Sequence, residues 1–109
     1  MVCDPDGPTI SREADALDII GGAGWQRADL VVIPAQRFDP DFFTLSTGIA
    51  GDIIQKFVNY RLPVAIVGDI GDHLTASSAL RAFVHESNNG RHVWFLDELA
   101  DLEAKLTQR

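Results

Sequence analysis

Three short apolar runs punctuate the chain: Leu30 to Ile33, Pro63 to Val67 and His92 to Leu96. Each is rich in β-branched or aromatic residues and lacks polar alternation, and Pro34 stops the first and Gly68-Asp69 the second. That pattern predicts strands buried on both faces of a sheet. Amphipathic stretches lie between them. The clearest, Thr47 to Tyr60, sets Ile49, Ile53, Ile54 and Phe57 on one side and Asp52, Gln55, Lys56 and Asn59 on the other, which is helical spacing. Ser46 or Thr47 supplies its cap. A second helix, around Ala76 to Glu86, turns Ala76, Ala79, Leu80 and Phe83 inward, and Ser87-Asn88-Asn89-Gly90 stops it. A third is capped by Asp97 and faces Leu99, Leu102 and Leu106 inward. Ahead of the first strand, Thr9 or Ser11 caps a helix with Ala14, Leu17 and Ile20 or Gly21 inward and Arg12, Asp15 and Asp18 outward. Gly21-Gly22-Ala23-Gly24 reads as its end, since glycine tolerates left-handed dihedrals at a helix terminus.

Strands alternating with helices predict an α/β fold, with a small, mostly parallel sheet, right-handed crossovers and helices on both faces. Three strands are expected, with a fourth or fifth from the N-terminal stretch or a partner chain. Residues 1–10 read as a loose arm or an edge strand, because Pro5, Gly7 and Pro8 restrict regular structure there. At 109 residues the chain is expected to form one domain, residues 1–109. In such sheets ligands sit beyond the carboxyl ends of the strands. Those ends feed the loops at Pro34 to Ser46, at Gly68 to Thr75 and at Asp97, so a site is sought there. Phe42 and Phe43, although in a loop, are expected to anchor in the core.

Charge narrows the classes of function. The formal net charge is −7, and the first 55 residues hold nine acids against three bases. An acidic surface opposes binding to nucleic acid and to anionic membranes and favours a basic partner. No apolar stretch approaches the ~20 residues of a membrane span. Met1 to Ile10 holds two Asp, two Pro and no Lys or Arg, unlike a secretory signal. With Cys3 as the lone thiol, no internal disulfide or Cys-rich zinc site forms, and a cytoplasmic location is the expectation.

The candidate chemistry is spread along the predicted loop edge. Asp39, Asp41, Asp69, Asp72 and Asp97 all project there. Carboxylates that converge can hold Mg²⁺, so Asp69 and Asp72 are the weak metal candidates, although no metal or other cofactor is expected. His73 beside Asp72 offers a general base, but neither Cys3 nor the scattered His85 and His92 completes a catalytic triad. The glycine cluster at 21–24 follows a helix and precedes a strand, the reverse of a phosphate loop. Ser46-Thr47-Gly48 opens the central helix, where a hydroxyl meets orphan amides and the helix dipole favours an added phosphate. Ser46 is therefore the phosphorylation candidate. Gln55, Lys56, Asn59, Tyr60 and Arg61 make a dense polar patch on the same helix and its end.

The stretch from Phe42 to Arg61, with Phe42-Phe43 and Thr47-Gly48-Ile49-Ala50-Gly51, resembles the bacterial domain of unknown function 4180 family. Ala16 to Ile20, the run Leu62 to Asp69 and the string Arg81 to Gly90, containing Glu86-Ser87-Asn88, extend the resemblance over most of the chain from Asp15 onward. Family members carry a fuller N-terminal strand than Met1 to Gly7 provides. The order of elements is also similar, more distantly, to the sulfate-transporter and anti-sigma-antagonist (STAS) domain. That domain opens the equivalent helix with Asp-Ser-Ser-Gly and takes phosphate on a serine from a partner kinase. Ser46, Thr47 and Gly48 match Ser-Ser-Gly, while Leu45 stands where the leading Asp would be.

The expected function is a small cytoplasmic protein-binding or regulatory module, controlled by phosphorylation near Ser46 or Thr47, with a protein partner and a homodimer both in view. Its candidate contact residues are Ser46, Thr47, Gly48, Gln55, Lys56, Asn59, Asp69, Arg81, Glu86 and Asn88. The alternative is a small-ligand binder or Mg-dependent enzyme using Asp69, Asp72, His73 and Arg81 at the strand ends, and it predicts a concave pocket there.

Overall fold

The computed structural model describes residues 1–107. Three parallel strands, β1 (Val31–Pro34), β2 (Val64–Val67) and β3 (Val93–Leu96), lie side by side in the order β1-β2-β3. They match the three apolar runs to within a residue. Five α-helices accompany them: α1 (Glu13–Trp25), α2 (Ile49–Asn59), α3 (Gly71–Ala76), α4 (Ser78–Asn88) and α5 (Leu99–Thr107). The fold is α/β, as the alternation predicts.

The strand order dictates where the helices go. Right-handed crossovers that always step in one direction across a sheet place their helices on one face. Hence α1, α2 and α4 cover the face carrying Val31, Ile33, Val64, Ile66, Val93 and Phe95, with Ala16, Ile20, Ile53, Phe57 and Leu80 packed into that core. The opposite face carries Val32, Ala65 and Trp94 and is met by Leu102 of α5. Each fully buried aliphatic or aromatic side chain there contributes roughly 1.5–3 kcal/mol.

The N-terminal stretch forms an edge strand of minimal length. Val2 bridges Val32 in parallel; the Val32 amide donates to Met1 O at 2.7 Å and the Cys3 amide to Val32 O at 2.8 Å. Farther along, Ile10 bridges Phe38. The Arg37 guanidinium ties down the intervening arm, donating from Nε to Pro8 O and from an Nη to Asp4 O, both at 2.8 Å. At the other edge, the Asn88 side chain stands in for a neighbouring strand. Its Oδ1 accepts from the Phe95 amide at 2.7 Å and its Nδ2 donates to Phe95 O at 3.1 Å. Both borders of the sheet are thus blunted against further pairing.

Several local expectations need correction. The glycines at 21–24 do not end the first helix. They lie inside α1, which continues to Trp25, and the left-handed residue beyond it is Arg27 (φ 56°). The start of α1 is bound by Asp15, whose carboxylate accepts from the Ser11 and Arg12 amides, rather than by a Thr9 or Ser11 cap. Its inward face is Ala16, Ile20 and Ala23, while Leu17 is exposed. The segment after Gly68 is not a plain loop, since Gly71 to Ala76 forms α3. Ser77 caps α4 through Oγ, accepting from the Leu80 amide, and Ala76 and Ala79 face solvent. At α5 the carboxylate that binds the free Glu98 amide belongs to Asp101, not Asp97, and of the three leucines only Leu102 is buried.

Candidate functional site

Pro34 ends β1, and the chain then turns through three short 3₁₀ segments, Ala35–Arg37, Pro40–Phe43 and Leu45–Thr47. Proline fixes φ and lacks an amide, so Pro40 suits the start of such a turn. Asp39 caps it, accepting from the Asp41 amide at 2.9 Å. Three aromatic side chains hold the whole segment in place. Phe42 lies 4.2 Å from Phe38 and 5.1 Å from Phe43, centroid to centroid, and all three are buried. The two phenylalanines at 42–43 do anchor in the core.

The loop after β2 meets this segment closely. Gly68 has φ 148°, and a Cβ there would sit 2.9 Å from Ala35 Cβ, so only glycine lets the two loops approach. Asp69 then accepts from the Gly71 amide at 2.8 Å and opens α3. Within α3, His73 stacks on Phe43 with centroids 4.5 Å apart and planes 19° apart.

Between these loops lies a cleft of about 660 Å³ at the carboxyl ends of β1 and β2. Pro34, Ala35, Val67 and Ile70 supply its apolar lining, and Gln36, Asp39, Asp69 and His73 its polar groups. The concavity predicted for the strand ends is therefore present. Asp39 and Asp69 each spend one carboxylate oxygen on a turn amide, which leaves the other without a hydrogen-bond partner among the described residues. No Lys or Arg lines the cleft. Arg37, the nearest in sequence, is turned away to hold the N-terminal arm.

The remaining predicted site residues scatter. Asp72 is exposed and lies outside the cleft. No group of three His, Cys, Asp or Glu side chains that could hold a metal comes together among the described residues, so the geometry lends Asp69 and Asp72 no support as a Mg²⁺ site. Arg81 reaches back to Leu74 O at 2.6 Å and clamps α3 to α4. Asn88 is committed to β3, as described above, and its own carbonyl accepts from Lys105 at 2.6 Å. Glu86 is exposed beside a groove between α2 and α4. The polar face of α2 is largely self-paired: Gln55 donates to Asn59 at 2.8 Å, and Lys56 lies 3.5 Å from Glu13 of α1.

At the head of α2, Gly48 is the left-handed residue (φ 78°). The Thr47 hydroxyl is engaged with Asp41 O and Thr44 O at 2.9 and 2.8 Å. The Ser46 hydroxyl is exposed and has no hydrogen-bond partner among the described residues. Cys3 is a core side chain. Burial pushes its thiol pKa above the ordinary value, against the smaller opposing effects of Arg37 and the amino terminus, so it is not an activated nucleophile.

The sequence reading placed Asp39 and Asp69 at the correct edge but missed Gln36, Thr9 and Val67, which also line the cleft. Nothing in their local spacing marks them. They meet because the Ile10–Phe38 bridge sets the N-terminal arm beside the loop after β1 and Gly68 lets the two strand-end loops converge.

A family model described as Domain of unknown function (DUF4180) matches residues 1–106. No curated protein and no solved structure matches the chain, and the likeness to the STAS domain rests on the order of elements and on Ser46-Thr47-Gly48. No helix among the described residues is long and apolar enough to cross a membrane.

Proposed function

The chain belongs to the family of the domain of unknown function 4180, whose name carries no activity, and from its own residues we propose that it is a small protein-binding module of regulatory type. The observation that carries this reading is the strand-end cleft: two half-free carboxylates, Asp39 and Asp69, over an apolar lining, with no Lys or Arg among its walls. Such a cleft suits a basic side chain of a partner, the alkyl stem lying on Val67 and Ile70 and the charged head between the carboxylates. A lone thiol fits a cytoplasmic setting for this module.

Ser46 supplies the regulatory part of the proposal. Its free hydroxyl stands ahead of α2, where phosphate is favoured by the helix dipole. A phosphate there adds negative charge beside an already acidic edge and strengthens docking of a basic partner.

The test is calorimetric titration of an Arg-containing peptide, with an acidic peptide of equal length as control. Wild type binds the first and not the second. Asp39→Asn/Asp69→Asn weakens binding about tenfold or more, the scale of losing charge-assisted hydrogen bonds. Ser46→Asp tightens it a few-fold. Equal affinity in wild type and the Asn pair would remove the cleft as the binding site.

A second reading, a small cationic ligand in the same cleft, is favoured by its volume, which lies within the usual range for ligand pockets. Stabilisation against heat by free amines, with no peptide affinity, would select it.

A further inference from the structure

Opposite the cleft, at the amino edge of the sheet, α1 and α2 end in the same way. Each has an exposed aromatic residue at its end and an arginine in the left-handed region two residues past the helix: Trp25, the last residue of α1, with Arg27 (φ 56°), and Tyr60, the first residue past α2, with Arg61 (φ 53°). Trp25 is 92% exposed and Tyr60 61%. Glycine is the residue that takes this backbone without strain, yet arginine holds it twice. Neither guanidinium has an ion-pair or hydrogen-bond partner among the described residues.

The glycines that would relieve those positions are found instead inside α1. A Cβ added at Gly21, Gly22 or Gly24 would meet nothing within 4 Å, so internal packing does not require them. Gly21 and Gly24 line a hollow of about 400 Å³ between the two helix ends, together with Asp29, Tyr60, Arg61 and Leu62. One corner thus concentrates strained arginines, exposed aromatics and helix-weakening glycines. Trp, Tyr and Arg are the side chains that dominate binding energy at protein interfaces.

The same chain carries the complement. Its carboxyl edge holds Asp4, Asp6, Asp39, Asp41, Asp69 and Asp72, and the one arginine among those loops, Arg37, is buried. The amino edge carries Arg27, Arg61 and Arg91 against Asp29 and Glu86, the last in the same groove as Arg91. We propose that the occupant of the strand-end cleft is the amino edge of a second copy of this chain, with Trp25 on its apolar lining and Arg61 against Asp39 and Asp69. This rests on the reading above that the cleft takes a basic side chain, and it names the partner. The two surfaces lie on opposite edges of one sheet, so each copy offers both at once. The contact is head-to-tail, and it closes into a ring or runs on as a chain according to the rotation between copies. The net charge of −7 makes copies repel at long range, but at about 0.15 M salt that repulsion is screened beyond ~8 Å while the docked pairs are not.

Sedimentation at rising concentration in that salt tests the assembly. Wild type exceeds its monomer mass of 11.9 kDa as concentration rises. Trp25→Ala/Arg61→Glu, a change confined to exposed side chains, weakens association at least tenfold, and so does Asp39→Asn/Asp69→Asn. Mixed together, the two defective variants form a one-to-one dimer and nothing larger, because only one good interface remains between them. A wild type that stays monomeric to about 1 mM overturns the proposal, and so does an Asn pair that assembles as well as wild type, since that means a symmetric contact without the cleft. If wild type is monomeric but still binds the Arg-containing peptide, only the identity of the partner falls. If it does neither, the cleft reading falls with it.

Discussion

At the carboxyl edge, β1 reaches α2 through a long path of 3₁₀ turns from Ala35 to Thr47. At the amino edge, α2 returns to β2 through Tyr60 to Pro63 alone. The long path buries three phenylalanines and encloses a cleft. The short return buries little and leaves Tyr60 in solvent, at the same edge as the exposed Trp25 that ends α1. The edges also differ in sign, with carboxylates at one and arginines at the other. The contrast shows how one parallel sheet can present two unlike surfaces. Every strand starts at one edge and ends at the other, so loop length and loop charge can differ between the edges without disturbing the core.

The largest effect that would sharpen this contrast comes from truncating an aromatic at each edge. Phe42→Ala removes a 1% exposed ring from the carboxyl-edge cluster and is expected to cost about 3–5 kcal/mol in denaturant unfolding. Trp25→Ala, of similar size but in solvent, is expected to stay within about 0.5 kcal/mol of wild type. Comparable losses at the two sites would break the comparison.

Gly68→Ala probes the approach of the two carboxyl-edge loops. With φ 148° and a neighbour 2.9 Å from the new Cβ, it is expected to cost roughly 1–3 kcal/mol. Chemical shifts around Ala35 and His73 would then move while those around Tyr60 stay fixed. A variant as stable as wild type would mean that the loops are not tightly apposed.

The smallest effect has the opposite sign. Arg61→Gly places at a left-handed position the residue that takes it most easily. Thermal unfolding is expected to show a gain of about 0.5–1 kcal/mol. No gain would indicate that the arginine is stabilised within its own chain and is not reserved for a partner.

The strands were legible because unbroken apolar runs bounded by Pro, Gly and Asp have few other readings. The face of α2 was legible because Ile53 and Phe57 repeat at helical spacing. The end of α1 was misread because glycine at 21–24 is equally a helix stop and a tolerated helix residue, and local sequence does not distinguish them. The candidate site was half legible. Asp39 and Asp69 were placed at the correct edge by the rule for parallel sheets. Asn88, one of the predicted contact residues, instead completes β3, a role set by the position of α4 beside that strand.

By itself the sequence determined the class of fold, the three strands and the family, because hydrophobic periodicity and distinctive strings are local properties of the chain. The tertiary structure decided which carboxylates share a cleft, that Arg37 serves the N-terminal arm instead of that cleft, and that the ends of α1 and α2 stand together at the opposite edge. These depend on side chains far apart in sequence being brought together by packing, and no local pattern encodes that distance.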